Sequence, residues 1–154
     1  MLPAKYIPLW SLFIKEVMRF LKVGMQTVLG PAISSLLFLT VFNLALGRSI
    51  ENINGVKFAN FIAPGLIMMT ILQNSFANAA SSIGQSKFQG NIVDILMSPL
   101  RDLELTFGYI GGAIVRGLIC GICTCIVIIF FVPLNIHSYL ALIFYSLMGS
   151  LMMG

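Results

Sequence analysis

The residues equipped for chemistry are few and far apart. Cys120 and Cys123 stand in C-x-x-C order with Cys125 just beyond, a spacing that suits zinc or dithiol chemistry. All three lie inside a long apolar run with no Asp or Glu near them, so packing is their expected role. His137 is the sole histidine and stands in a turn, which leaves neither an H-E-x-x-H zinc site nor paired axial ligands for haem. No G-x-S-x-G elbow and no G-x-x-x-x-G-K-[ST] phosphate loop occurs, so serine hydrolysis of that type and P-loop ATP binding are excluded for this chain. What remains is a series of polar side chains in apolar surroundings: Gln73, Asn74, Asn78, Ser81, Ser82, Gln85 and the lone charge Arg116.

The surroundings explain why those residues matter. No charge lies between Lys22 and Arg48, none between Lys57 and Lys87, and only Arg116 follows Glu104. Each gap exceeds the ~20 apolar residues that carry a helix across ~30 Å of hydrocarbon. The chain is 58% hydrophobic and 9% charged over 154 residues, against about 25% charged in soluble domains. Runs such as Ile126 to Phe131 do not alternate, which argues against a β-barrel. The expected fold is therefore an all-α integral membrane domain over 1–154, with about four transmembrane helices near 25–46, 58–84, 105–132 and 138–154. Gly30-Pro31 is expected to bend the first span and Pro64-Gly65 to break or kink the second. Asn54-Gly55 marks a turn in the loop between them.

Asn74, Asn78, Ser81 or Ser82, and Gln85 recur at helical spacing, so they define one face of the second span. Amides in hydrocarbon need partners, and this face either glues helices together or lines a substrate pathway. In the third span, Gly108-x-x-x-Gly112 and Gly117-x-x-x-Gly121 form ridges that permit close helix approach. Arg116, near the Gly108/Gly112 face, costs ~2.5–3.5 kcal/mol at a span centre and needs a partner or a route to the surface.

Ahead of the first span, Trp10, Phe13, Ile14, Val17 and Leu21 share a helical stripe, while Lys15, Arg19 and Lys22 share another. This predicts an amphipathic helix lying at the membrane surface, with its basic groups toward anionic lipid. The charges follow an apolar patch and the next run is too long for a signal peptide. The few basic residues flank spans, so they read as orientation signals rather than a nucleic-acid surface. Counted on alternate sides, they put the N-terminus and segment 85–104 in the cytoplasm. Within that segment Lys87 to Met97 is expected to be helical, stopped by Ser98-Pro99. Phe88, Ile92, Ile95 and Leu96 would share its apolar side, with Lys87, Asp94 and Arg101 fixing register by charge.

The stretch Phe61-Ile-Ala-Pro-Gly-Leu-Ile-Met-Met68 with Gln73-Asn-Ser-Phe-Ala-Asn78 resembles the second span of type-2 ABC transporter permeases. Lys87-Phe-Gln-Gly-Asn-Ile-Val-Asp-Ile-Leu-Met-Ser-Pro-Leu100 resembles the cytoplasmic segment of that family, with Asp94 where Glu is common. The resemblance covers essentially the whole chain. It implies the first part of a six-span permease bundle in the bacterial inner membrane, an exporter of drug, lipid or glycan-type substrates. Lys87, Phe88, Asn91, Asp94, Ile95, Leu96, Ser98 and Pro99 would couple to a separate nucleotide-binding ATPase subunit, which holds the ATP and magnesium. No cofactor is implied on this chain, and a second permease copy is implied as partner. Asn74, Asn78, Ser81 and Arg116 would serve passage or packing, and Trp10, Lys15, Arg19 and Lys22 the membrane surface. Family permeases typically have six spans, so the chain reads as an N-terminal fragment. The rival expectations are a non-transporting membrane anchor and an inactive truncated gene product.

Overall fold

The computed structural model describes residues 7–22, 24–47, 52–53, 56–91, 93, 97, 101–132 and 139–154. Its helices are α1 (Ile7–Lys22), α2 (Gly24–Leu46), α3 (Phe58–Phe88), α4 (Asp102–Phe131) and α5 (Tyr139–Met153). Two short strands, β1 (Asn52–Ile53) and β2 (Val56–Lys57), pair antiparallel between α2 and α3 with Asn52 opposite Lys57 and Ile53 opposite Val56. The loop expected there is thus hairpin-like on either side of 54–55. Among the described residues the architecture is all-α apart from this pair. By length and apolarity alone α2 and α4 are able to cross a membrane. Helix α3, at 31 residues, is about 46 Å long, and α5 is a shorter apolar helix.

Polarity is inverted relative to a soluble protein. The buried set includes Ser35, Thr70, Asn74, Ser75, Asn78, Ser82, Thr124, Ser146 and Ser150, while Ile33, Leu37, Phe76, Ile122, Phe130 and Phe144 are exposed. This is the arrangement expected where the solvent is hydrocarbon and helices associate through small and polar groups. Ser146 and Ser150 each satisfy their hydroxyl on their own helix, at Leu142 O (2.7 Å) and Leu147 O (2.9 Å), so α5 can present them to α3 and α4 at no cost in unpaired groups.

Helix α4 is the centre: it packs on α1, α2, α3 and α5. Its two glycine ridges do separate jobs. Leu12 of α1 lies over Gly108, where an added Cβ would sit 2.5 Å from Leu12 Cδ2, and Glu16 lies over Gly112, at 2.8 Å from such a Cβ. Gly117 and Gly121 are instead filled by Ser75 and Ile71 of α3. Nine residues are two and a half turns, so the two ridges face opposite sides of α4. The other end of the bundle is closed by Leu39, Ala63, Ile128 and Val132.

Some local expectations change. Helix α3 runs unbroken through Pro64, so no break occurs there, and α2 likewise continues through Pro31. Pro31 lacks the N–H that would bond Thr27 O, and that carbonyl instead accepts from Cys120 Sγ of α4 at 3.6 Å. Helix α3 continues past Gly84 to Phe88, and the continuous helix expected over Lys87–Met97 does not form. Gly90 adopts φ 74°, a left-handed conformation that stops α3, and Gln89 N–H bonds back to Gln85 O. Beyond it Met97 N–H bonds to Val93 O at 2.9 Å, a single helical turn's contact. The residues at 92, 94–96 and 98–100 lie outside the described set. Helix α4 starts with Arg101 N–H donating to Glu104 Oε2 at 3.1 Å, half of a capping box.

Candidate functional site: a polar seam inside an apolar bundle

The polar face of α3 splits into two patches. Toward α2, Thr70 donates its hydroxyl to Leu66 O (2.8 Å), so the 2.8 Å contact with Ser35 Oγ must be donated by Ser35. Asn74 Nδ2 donates to Thr70 O at 2.9 Å. Together with Ser34, Gln73 and Phe38 these groups line a cleft of about 310 Å³ that begins at Pro31. Both helices contribute hydroxyl or amide groups as well as aromatic or aliphatic ones, so the mixed lining suits an amphiphilic occupant.

Toward α1 and α4 lies a charged knot. Asn78, fully buried, accepts from Arg19 Nη2 at both its backbone oxygen and Oδ1 (3.3 Å each), and from Arg116 Nη1 at Oδ1 (3.5 Å). Arg19 Nη2 also lies 3.1 Å from Glu16 Oε2, an ion contact without hydrogen-bond alignment. Two cations thus face one anion. Arg116 Nε and Asn78 Nδ2 are buried without a hydrogen-bond partner within the described protein. Tyr109 stands beside this knot, next to Ser82 and Ser86 on α3.

Of the residues singled out from sequence, the structure brings Asn78, Arg116 and Arg19 together. Asn74 belongs to the separate cleft, and Ser81 is exposed, bonding Asn78 O of its own helix at 3.1 Å; Ser82 takes the inner position. Arg19 is turned inward to Glu16 and Asn78, whereas Lys15, Lys22 and Trp10 remain exposed on α1. Trp10 stacks on Phe13 with centroids 5.6 Å apart. The orientation of α1 is notable: Leu12, Glu16 and Phe20 face the bundle, and Trp10, Ile14 and Leu21 face out. At the end of α3, Lys87 and Phe88 are exposed, Phe88 at 95%, and Asn91 donates to Gln89 Oε1 at 3.5 Å. Asp94, Ile95, Leu96, Ser98 and Pro99 lie outside the described residues, as does His137. Sequence reasoning missed Glu16, Ser35, Thr70 and Ser75. Glu16 had a signal, being the only acidic residue before Glu51 and three residues ahead of Arg19.

A bundle that buries hydroxyls, amides and one charge knot while exposing its aliphatic side chains is a helical membrane domain in kind. Residues 8–154 match the family described as ABC-2 type transporter, and the chain belongs to that family. It is similar to the inner membrane transport permease YadH of Escherichia coli strain K12, 38% identical over 134 residues, which is 87% of this chain and 52% of the relative. The YadH proteins of Escherichia coli O157:H7 and Shigella flexneri match to the same extent. The chain therefore spans about half the length of the curated relatives it matches. No solved structure matches it.

Proposed function

We propose that this chain forms the first part of the membrane-spanning permease of an ATP-driven bacterial exporter in the inner membrane. In this reading α2, α3, α4 and α5 each cross the bilayer within one domain over 1–154, and α1 lies at the cytoplasmic surface with Trp10, Lys15 and Lys22 toward lipid. The N-terminus and segment 85–104 face the cytoplasm. ATP is hydrolysed on a separate subunit that docks at 87–100, and a second permease copy completes the pathway. The substrate is drug-, lipid- or glycan-type, and catalysis is no part of the chain's role.

The observation that carries this reading is the cleft between α2 and α3, a polar-lined opening among helices whose outer faces are apolar. Supporting it is the exposed Phe88 at the far end of the same helix α3, a large apolar side chain available to a partner groove. The test uses the full-length permease expressed with the ATPase encoded alongside it. Phe88→Ala and Asp94→Lys are expected to lower co-purification of the ATPase about tenfold, in line with loss of an interface hot spot. Gln73→Leu with Asn74→Leu is expected to leave that association intact and abolish export. Undiminished ATPase recovery from both docking variants would overturn the docking role. Labelling of Phe88→Cys only from outside the cell would overturn the orientation.

A further inference from the structure

Glu16 is a carboxylate only 1% exposed, set over Gly112 where any side chain on α4 would collide with it. Its ion contact with Arg19, at 3.1 Å, places one anion beside the two guanidinium groups of the knot. Arg19 and Arg116 both approach Asn78 Oδ1, and two guanidinium groups drawn to one oxygen repel each other. The Glu16 charge offsets that repulsion and fixes the arm of Arg19, which bridges from α1 to α3. Leu12 and Phe13 seated on Gly108 and Gly111 give the contact its area and its van der Waals attraction, which is not directional. The electrostatic link is what gives it direction.

We propose that Glu16 is a positioning residue that fastens α1 to the α3–α4 pair through Arg19 and Asn78, so that the three helices move as one body. The proposal deepens the permease reading and rests on it for its functional half. Helices α3 and α4 flank segment 89–101, so a push on that segment reaches both, and the knot carries it to α1. Transport then displaces α1 along the membrane surface together with the helices behind it.

The geometry supplies its own probe. An ideal Cβ on Gly108 lies 3.7 Å from Leu12 Cβ, close to the ~3.8 Å mean of native disulfides. The full-length permease carrying Leu12→Cys and Gly108→Cys, with Cys120, Cys123 and Cys125 replaced by alanine, is expected to form this bond on mild oxidation. Adding Glu16→Gln is expected to lower the yield at a fixed time about fivefold, since one partner of a buried charged set is lost. The conservative Glu16→Asp, which keeps an anion beside Arg19 and leaves the Arg19–Asn78 contact in place, is expected to restore most of it, which guards against a variant that merely misfolds. An unchanged yield in Glu16→Gln, or no recovery in Glu16→Asp, overturns the fastening. In the assembled transporter, oxidised and reduced forms are expected to hydrolyse ATP at the same rate, because the bonded helices do not slide past each other. ATPase activity lost on oxidation and regained on reduction overturns the one-body motion. If no ATPase associates with the unmodified permease, the permease reading fails by itself, and the disulfide yields still decide the role of Glu16.

Discussion

Asn78 offers one side-chain oxygen to two arginines, and its position on the chain gives no hint of this. Only the crossing of three helices brings Arg19 and Arg116 to it. Replacing Asn78 with leucine of similar size removes the shared acceptor and leaves two half-buried guanidinium groups facing one carboxylate. The expected loss is about 2–4 kcal/mol, read as unfolding of the purified permease in a detergent titration. In a double-mutant cycle with Arg19→Leu, the combined loss should fall short of the sum by about 1 kcal/mol or more, because the two side chains share one interaction. Strict additivity would mean the contact contributes nothing. The cysteines make a contrast. Cys120 touches a carbonyl left over by Pro31, while Cys125 lines an apolar cavity of about 340 Å³ between α3, α4 and α5, so these two thiols pack on different sides of α4.

Helix existence was legible in the chain because lipid demands long uncharged runs, and charges at Lys22, Lys57 and Glu104 mark where those runs begin. Helix rotation was not. In water an apolar stripe points to the core, but in hydrocarbon the same stripe points to solvent, and α1 follows the second rule with Trp10, Ile14 and Leu21 outward. The glycine ridges of α4 were readable as sites of close approach, but not which helix fills each. Gly90 was hidden within a helical pattern, and only its left-handed backbone shows that α3 stops there. These elements give sharp contrasts. Gly117→Ala brings a methyl group into Ser75 and the Ile71 carbonyl and should cost about 1–3 kcal/mol. Gly84→Ala, on the same footing but facing open space, should be neutral or stabilising by up to about 1 kcal/mol. Thermal unfolding of both variants in one detergent would check the pair, and equal effects would refute the assigned packing. Gly90→Ala should cost about 1–2 kcal/mol through its backbone alone.

At the scale of the molecule, the apolar exterior is itself testable. Leu37 lies exposed midway along α2, and Leu37→Arg there should raise the insertion free energy by about 3 kcal/mol, visible as a lower inserted fraction in a glycosylation-site insertion assay. The same change at Lys22, already charged and exposed on α1, should leave insertion unaltered. The family assignment was legible from the order of the motifs along α3 and the segment after it; the split of the α3 amides between a cleft and a charge knot was not, since it depends on where α1 and α2 lie. One further consequence follows from α4 being notched on opposite sides at two heights. A rod keyed in this way is unable to spin in its socket without lifting both teeth at once. It is left to tilt or shift with its neighbours, so a side-on thrust at its foot would tip it like a lever rather than twist it.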